Sequence, residues 1–212
     1  MIKLIQAHDA TSHCDLIDQM FRLRASAFHD RLGWDVNVVD GRERDHFDDC
    51  DPLYLLALDG VRRVVGSARL LQTTGPNMLS NVFSELLPQG LSIRSPIVWE
   101  STRFCVGGDT ETARSSYGIS RISGEIMAAE IEVGLLAGLS HIVTVVDVRM
   151  ERILRRGGCP VERLGEPKRI GRTLTLAVLI NVSQEVLSSI RAAHDIDGSC
   201  LDPSEMPLSM AA

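Results

Sequence analysis

Residues 53–71, LYLLALDGVRRVVGSARLL, carry two apolar runs on either side of the turn-forming pair Asp59-Gly60. Two β-type runs joined by an Asp-Gly turn are typical of a β-hairpin. This stretch therefore predicts a pair of antiparallel strands. The elements before and after it decide the kind of sheet to which the hairpin belongs.

The chain before the hairpin predicts a strand, a long helix and a polar loop. Residues 2–6 predict the strand, and residues 12–33 predict the helix, with Ser12 as its cap and Gly33 near its end. The apolar side chains that share one face of this helix are Leu16, Met20, Leu23, Ala27 and Leu32. The polar segment 35–51 is too long for a simple turn, so we predict a functional or mobile loop.

The chain after the hairpin alternates between helices and strands. TTGPNMLSNVFSELL predicts a turn and a short helix, and VWESTRFCV at 98–106 predicts a strand. A helix over 117–139, the buried strand HIVTVVDV, the short helix RMERILRRGG and the last strand RTLTLAVLINV follow. The chain has no repeat, low-complexity segment or linker. We therefore predict a single domain over residues 1–212, with a polar C-terminal tail from about residue 193.

Composition excludes several classes of protein. The 212 residues contain 44% hydrophobic and 24% charged residues, as expected for a globular domain with a sizeable core. The net charge of −6 gives no general attraction to nucleic acid or to a membrane surface. The longest apolar region, 126–146, contains Glu130, Glu132 and His141, so it predicts a buried helix and strand and not a membrane span.

The cysteines indicate a reducing compartment. The five thiols are widely scattered and include no C-x-x-C pair, which argues against a disulfide framework and against a zinc site. The N-terminal apolar stretch is too short for a signal peptide. We therefore expect a cytoplasmic protein.

The strand VWESTRFCV poses a geometric problem. Glu100 and Arg103 are separated by an odd number of positions, so regular pleating points their side chains to opposite faces of the sheet. A β-bulge between them would bring both to one face.

Four ordered blocks carry a resemblance to a known family: FRLRASAFHDRLGW (21–34), ERDHFDDCDPLYLL (43–56), VVGSARLLQTTGPNML (64–79) and VWESTRFCV (98–106). Together they resemble the acyl-homoserine lactone synthases, the autoinducer synthases of bacterial quorum sensing. The resemblance implies an α/β fold of the GNAT (acyl-CoA N-acyltransferase) type, with a mixed sheet between helices in three αβα layers.

The resemblance also implies a reaction. Members of this family join a fatty acyl group, usually carried as a thioester on acyl carrier protein, to S-adenosylmethionine. The amine attacks the thioester carbonyl to form an amide, and the methionyl carboxylate then closes a lactone and expels methylthioadenosine. S-adenosylmethionine is a substrate in this reaction, so no cofactor is expected. The aspartates at 45, 48, 49 and 51 lack the glycine and the distal glutamate of an EF-hand, so no metal is expected either.

The resemblance assigns roles to particular side chains. A carboxylate is needed as the general base for the amine, and Glu100 is the first candidate and Asp45 the second. Aromatic faces suit the sulfonium and a cation suits the carboxylate of S-adenosylmethionine. The expected ligand-binding residues are Arg24, Phe28, Trp34, Arg103 and Phe104, and Asp48 and Arg69 are expected to form a supporting ion pair.

Two further regions concern the acyl donor. In the strand after the long helix, Thr144 matches a position that the family associates with 3-oxo acyl chains, and Met127 and Val146 are expected to line the acyl pocket. Residues 149–172 contain eight basic residues against three acidic ones, and acyl carrier protein is acidic. The expected docking residues are Arg149, Arg152, Arg155, Arg156 and Lys168, although such runs are also typical of a solvated helix face.

Alternatives to this interpretation remain at the level of sequence. Acetyltransferases usually hold the coenzyme A pyrophosphate on a Gly-rich loop at a helix N-terminus. Residues 111–125 contain only the scattered Arg114, Gly118 and Arg121, so this loop is not evident in the sequence. Its lack of a clear pattern favours a carrier-protein donor. A relative that accepts acyl-coenzyme A, an acyltransferase for another amine, and a non-catalytic S-adenosylmethionine-binding module are the rival hypotheses.

Overall fold

The computed structural model of the protein describes residues 1–108 and 119–202. The strands are β1 (Ile2–Gln6), β2 (Val38–Val39), β3 (Arg42–Glu43), β4 (Leu53–Leu58), β5 (Val64–Gln72), β6 (Val98–Val106), β7 (His141–Asp147), β8 (Glu162–Arg163), β9 (Lys168–Ile170) and β10 (Thr173–Asn181). The α-helices are α1 (Cys14–Arg24), α2 (Met78–Asn81), α3 (Arg121–Leu136), α4 (Val148–Arg156) and α5 (Gln184–His194).

One mixed sheet contains most of the strands. Its order is β1-β4-β5-β6-β7-β10-β8, and β9 pairs with β10. The pair β6–β7 is parallel, whereas β1–β4, β4–β5, β5–β6 and β7–β10 are antiparallel. The predicted hairpin is therefore confirmed as β4–β5. The helix α3 provides the crossover that a parallel pair requires.

Helices cover both faces of this sheet. In β4, Leu53, Leu55 and Ala57 join the core beneath α3, whereas Tyr54 and Leu56 point to the opposite core beneath α1. A strand that is buried on both faces has no polar positions, which explains the unbroken apolar run at 53–58. The three-layer α/β architecture is the one expected from the family resemblance.

The first long helix changes its geometry before it ends. α1 continues without a break into a π-helical segment, Ala25–Arg31, and Gly33 follows with a φ of 63°. The predicted end near Gly33 is confirmed, but two details were wrong. Ser12 lies in a 3-10 segment, Ala7–His13, and does not cap α1. Leu32 is exposed because it lies beyond the helical segment.

The C-terminal part of the described chain is more buried than its sequence indicates. Val186, Leu187 and Ile190 of α5 are buried, and this helix packs on α3. Beyond it, Cys200 and Leu201 are buried beside β1, where the Ile2 amide donates to the Cys200 carbonyl at 2.8 Å. The predicted polar tail is therefore corrected as far as residue 202, and residues 203–212 lie outside the described part. The predicted start of α3 at 117 also lies outside it.

Candidate active site

A β-bulge in β6 brings Glu100 and Arg103 to one face of the sheet. Arg69 of β5 pairs with Thr102, but Ser67 pairs with Cys105, so β6 contains one extra residue at this point. Arg103 has a φ of 53°, a left-handed conformation that costs a residue with a side chain about 1–3 kcal/mol. The structure therefore contains the bulge that would bring Glu100 and Arg103 to one face of the sheet.

The deepest part of the site is a network of buried charges. The Arg24 guanidinium donates to Glu43 at 2.5 Å and to both oxygens of Asp48 at 2.8 and 2.9 Å. Arg69 and the Tyr54 hydroxyl both donate to Asp48 Oδ1, at 2.8 and 2.9 Å. Burial alone would raise the pKa of Asp48, but the two guanidinium groups outweigh it and hold that pKa well below its usual range. Each buried charge thus has a partner of opposite sign.

Asp45 and Arg103 form the outer edge of the same network. Arg69 donates to both oxygens of Asp45, at 2.6 and 3.0 Å, and Arg103 Nη2 lies 2.7 Å from Asp45 Oδ2 and 3.0 Å from Glu43 Oε1. The side chains of Asp45 and Arg103 are 18% and 11% exposed, compared with 1% for Arg69. Among these network members, Asp45 and Arg103 are the ones that a ligand can reach.

The network also fixes the predicted loop. Asp45 accepts from the Phe47 amide at 2.9 Å, and Asp48 accepts from the Asp45 amide at 2.9 Å, forming a capping box around the 3-10 turn His46–Asp49. The same two carboxylates hold Arg69 of the sheet. The aspartates of segment 35–51 therefore tie this part of the loop to β5.

An aromatic stack lies beside the charged network. The Phe28 and Trp34 rings are stacked, with centroids 5.1 Å apart and an interplanar angle of 10°. Phe28 is buried, whereas Trp34 is 45% exposed. The Arg103 guanidinium lies 5.6 Å from the centre of the Phe28 ring. Arg103 therefore contacts both the aromatic stack and the charged network. The expected aromatic and cationic groups are therefore brought together.

Glu100 is buried next to the first turn of α2. Its two oxygens accept from the backbone amides of Met78 and Leu79 at 2.7 and 2.6 Å. Burial raises the pKa of Glu100 to about 7, against the opposing effect of these hydrogen bonds. The Met78 sulfur lies 3.4 Å from Arg103 Nη1 and 3.5 Å from Arg69 Nη2. Met78 thus connects the Glu100 carboxylate to the charged network.

The parallel strands β6 and β7 separate next to this site. Their pairing runs from Val98↔His141 to Ser101↔Thr144 and ends there, although both strands continue. Beyond that point the residues of β7, from Thr144 to Asp147, are only partly buried. An opening therefore lies between two central strands of the sheet, adjacent to Thr102 and Arg103.

The expected acyl-pocket residues lie on the α3 side of this opening. Met127 of α3 and Val146 of β7 belong to the core beneath α3. Thr144 lies on the same face of β7 as Val146, because side chains two positions apart share a face. The three residues therefore lie on the α3 side of the sheet, opposite the charged network.

Two expected ligand-binding residues need correction. Arg24 is completely buried, and its guanidinium is taken up by Glu43 and Asp48, so it supports the site without reaching a ligand. Phe104 packs against the core beneath α3, because the bulge at Arg103 turns it away from the Trp34 side. Its position fits the acyl side of the sheet and not the S-adenosylmethionine side.

The expected docking arginines have different environments. Arg149, Arg152 and Arg156 of α4 are exposed. Arg155 is held by Glu151 at 3.3 Å and by the Val161 carbonyl at 2.7 Å. Lys168, on β9, donates to the Glu85 carbonyl. A depression of about 400 Å³ lies between these elements, and its lining residues are Val148, Glu151, Arg152, Arg155, Arg163, Pro167 and Leu174.

Three residues of the site were missed at the level of sequence. Glu43 bridges Arg24 and Arg103, Tyr54 donates to Asp48, and Met78 joins Glu100 to Arg103. Glu43 and Tyr54 lie in the block ERDHFDDCDPLYLL, so the balance of charge there could have indicated Glu43. Nothing in the local pattern marks Met78, whose role depends on the turn before α2.

Within the described ranges, no cluster of His, Cys, Asp and Glu side chains has the geometry to hold a metal ion. In the same ranges, no helix combines the length and apolar character needed to cross a bilayer.

The sequence and the fold match known proteins. The family model described as autoinducer synthase matches residues 7–190. A probable acyl-homoserine-lactone synthase of Sinorhizobium fredii is 43% identical over 180 residues, covering 84% of this chain and 86% of the relative. An acyl-homoserine-lactone synthase of Rhizobium radiobacter is 44% identical over 161 residues, covering 76% of each chain.

Solved structures give the same result. A CoA-dependent acyl-homoserine lactone synthase, BjaI, solved with SAM and isopentyl-CoA, is 30% identical with a TM-score of 0.87, covering 100% of this chain and 96% of that one. An N-acetyltransferase from Lactobacillus plantarum, at 12% identity and a TM-score of 0.55, shares the fold alone. It covers 86% of this chain and 99% of its own. This chain therefore has the GNAT fold and belongs to the autoinducer synthase family, whose members matched here are acyl-homoserine-lactone synthases.

Proposed function

We propose that this protein acylates the amine of S-adenosylmethionine and then closes the lactone with release of methylthioadenosine. One observation carries the proposal: a continuous line of contacts crosses the site. Trp34 stacks on Phe28, Arg103 lies over Phe28, and Met78 links Arg103 to Glu100. Aromatic, cationic and acidic groups are thus held within reach of one small ligand.

S-adenosylmethionine carries groups that these side chains recognise. The exposed face of Trp34, supported by Phe28, suits the sulfonium through cation–π attraction. Arg103 provides a cation for the methionyl carboxylate, since its Nη1 contacts only the Met78 thioether among the described residues. Glu43 and Asp45 hold the rest of this guanidinium in place.

The amine must lose a proton before it attacks. Glu100 is the first candidate for the base, because a carboxylate with a pKa of about 7 accepts a proton efficiently near neutral pH. It is fully buried, so we propose that a water molecule relays the proton. Asp45 is the second candidate, but both of its oxygens are already paired with Arg69 and Arg103.

The opening between β6 and β7 suits the acyl transfer. The amine nitrogen forms a bond to the thioester carbonyl carbon, and the carbon–sulfur bond then breaks with protonation of the departing thiolate. Backbone amides of β6 that face β7 beyond Ser101 lie outside the β6–β7 ladder and are candidate donors to the oxyanion. The methionyl carboxylate then attacks the carbon next to the sulfonium, which releases methylthioadenosine.

We propose acyl carrier protein as the acyl donor. The exposed arginines on α4 and the depression beside them provide a basic surface for an acidic partner. Arg155 and Arg163 are partly neutralised by Glu151, so Arg149 and Arg152 are the better candidates for contact. Charge reversal at both, Arg149→Glu with Arg152→Glu, should slow turnover with carrier-bound substrate more than with a short free thioester. Equal losses with the two donors would exclude docking at this surface.

Acyl-coenzyme A is the second candidate donor. The solved relative BjaI is described as CoA-dependent and has the same fold at 30% identity. The proposed reaction needs no resident cofactor with either donor. We further infer a cytoplasmic location from the five free cysteines, three of which are buried.

The activity can be tested with one panel of donors. Purified protein is incubated with S-adenosylmethionine and matched acyl carrier protein and coenzyme A thioesters, while methylthioadenosine release and lactone mass are followed. Both products should form, faster with carrier-bound donors. Methylthioadenosine formed only with coenzyme A donors would favour the second donor. No methylthioadenosine with any donor, despite binding of S-adenosylmethionine, would indicate a non-catalytic binding module.

A further inference from the structure

A buried carboxyl group on α3 has no role in the chemistry described so far. Glu130 is buried within an otherwise apolar core, where its neighbours on α3 include Met127 and Ile131. The hydrogen bond that it accepts from the described residues comes from the Ser101 hydroxyl, at 2.6 Å. Its second oxygen receives no hydrogen bond from them. A carboxyl group in such a place is costly unless it is fully paired.

Glu130 lies at the point where β6 and β7 separate. Ser101 and Thr144 are the last paired residues of these strands. Ser101 points to α3, as its bond to Glu130 shows, and Thr144 shares the face of Ile142 and Val146, which belong to the core beneath α3. Three side chains with oxygen atoms are therefore grouped at the neck of the opening, on the side that holds the proposed acyl pocket.

The chemistry of this group favours one kind of acyl chain. Burial raises the pKa of Glu130 to about 7, so a further hydrogen-bond donor would stabilise its charged form. A hydroxyl on the acyl chain both donates to a carboxylate and accepts from the Thr144 hydroxyl, whereas a ketone only accepts. An unsubstituted chain would leave the carboxylate oxygen unpaired.

We propose that Glu130, oriented by Ser101 and acting with Thr144, selects acyl donors that carry a hydroxyl group close to the thioester. This inference rests on the proposed function, because it names a substrate class for the same site. The neck position places the contact near the reacting end of the chain and not near its tail. A 3-hydroxyacyl thioester is the probe that follows from this placement.

The test compares donors of equal chain length on one enzyme. Values of kcat/KM are measured with 3-hydroxyacyl, 3-oxoacyl and unsubstituted thioesters on the same carrier. A hydrogen bond to a charged group is worth enough to favour the 3-hydroxyacyl donor by at least about tenfold. The Glu130→Leu variant should lose this preference, so that its kcat/KM values for the 3-hydroxyacyl and unsubstituted donors become similar, and Ser101→Ala should reduce the preference.

A second buried glutamate on α3 provides a matched control. Glu132 accepts hydrogen bonds from Arg191, Ser199 and the Cys200 amide, and none of these residues belongs to β6 or β7. Glu132→Gln should therefore leave the donor preference unchanged. Leucine at position 130 places an apolar side chain in an apolar core, so we expect a cooperative thermal unfolding transition for Glu130→Leu. If this variant does not fold, the donor preference of Ser101→Ala tests the proposal instead.

Two results would overturn the assignment. One is an unchanged 3-hydroxy preference in a folded Glu130→Leu or Ser101→Ala variant, and the other is a parent enzyme that prefers the unsubstituted or 3-oxo donor. Both leave the proposed function intact, since methylthioadenosine would still be released. Failure of every donor to release methylthioadenosine would instead overturn the function and this inference together.

Discussion

The Arg103 guanidinium lies 5.6 Å from the centre of the Phe28 ring, and it is held there by a backbone with a φ of 53°. A left-handed conformation at an arginine persists only where surrounding contacts stabilise it. Glu43 and Asp45 provide these contacts with two carboxylates. The bulge therefore positions one cation between the aromatic stack and the acidic residues.

The planar fork of Arg103 predicts the effect of a conservative change. Lysine cannot bond Glu43 and Asp45 while lying flat over Phe28, so Arg103→Lys should lower kcat/KM for S-adenosylmethionine at least about tenfold. The measurement is methylthioadenosine release at several concentrations of S-adenosylmethionine. Arg62→Lys is the control, because Arg62 also has a positive φ but lies exposed in the β4–β5 turn. A twofold effect or less at Arg103 would exclude its role in binding.

Removing one charge from the buried network should destabilise the fold. Asp48→Asn leaves Arg24 and Arg69 without their shared partner, at a cost of about 3–5 kcal/mol. Urea denaturation of the variant and the parent measures the difference. Asp18→Asn, which removes a carboxylate that pairs with Arg22 and Arg42 on the surface, should change stability little. Similar effects at both positions would show that the network adds no special stability.

The packing of α5 on α3 depends on a residue without a side chain. A Cβ atom at Gly124 would lie 2.2 Å from Cγ of His194, so Gly124→Ala forces the two helices apart. We expect a loss of about 1–3 kcal/mol in the free energy of unfolding. Gly60→Ala is the control, since no atom lies within 4 Å of a Cβ at that position. An unchanged melting temperature for Gly124→Ala would contradict this packing.

His194 should make the fold sensitive to acid. His194 is buried where α5 packs on α3, and this burial lowers its pKa against the opposing effect of the Gly157 backbone. A lowered pKa in the folded state means that stability is complete above the unfolded-state value of about 6.5 and decreases as the pH falls below it. His194→Leu should therefore reduce the loss of stability on acidification. The same substitution at the exposed His8 is the control. An identical acid dependence of stability in His194→Leu and the parent would contradict the prediction.

The sequence predicted the elements well where packing is regular. The apolar runs of β4, β5 and β10 are largely buried on both faces, so their apolar pattern in the sequence was strong. The grouping of charged and aromatic residues followed from four blocks that are distant in sequence. The odd spacing of Glu100 and Arg103 left a bulge as one of two possibilities, and the structure shows it. These predictions depended on local pattern and on the family resemblance.

The errors have a common physical cause. The depth of Arg24 and the direction of Phe104 depend on tertiary contacts, namely the bonds to Glu43 and Asp48 and the extra residue in β6. The buried segment at Cys200 and Leu201 follows from its attachment to Glu132. Such long-range contacts leave no periodic signal in the sequence.

The central claim is that the residues from Trp34 to Glu100 bind S-adenosylmethionine and that the Glu100 carboxylate accepts the proton from its amine. The most direct measurement is methylthioadenosine release against pH for the parent and for Glu100→Gln, together with the dissociation constant of S-adenosylmethionine. The parent rate should rise with pH through about 7, as the carboxylate becomes charged. Glu100→Gln should lose that rise and about 10²–10⁴-fold in kcat, while its binding of S-adenosylmethionine stays close to that of the parent. Full activity in Glu100→Gln with an unchanged pH profile would contradict the account.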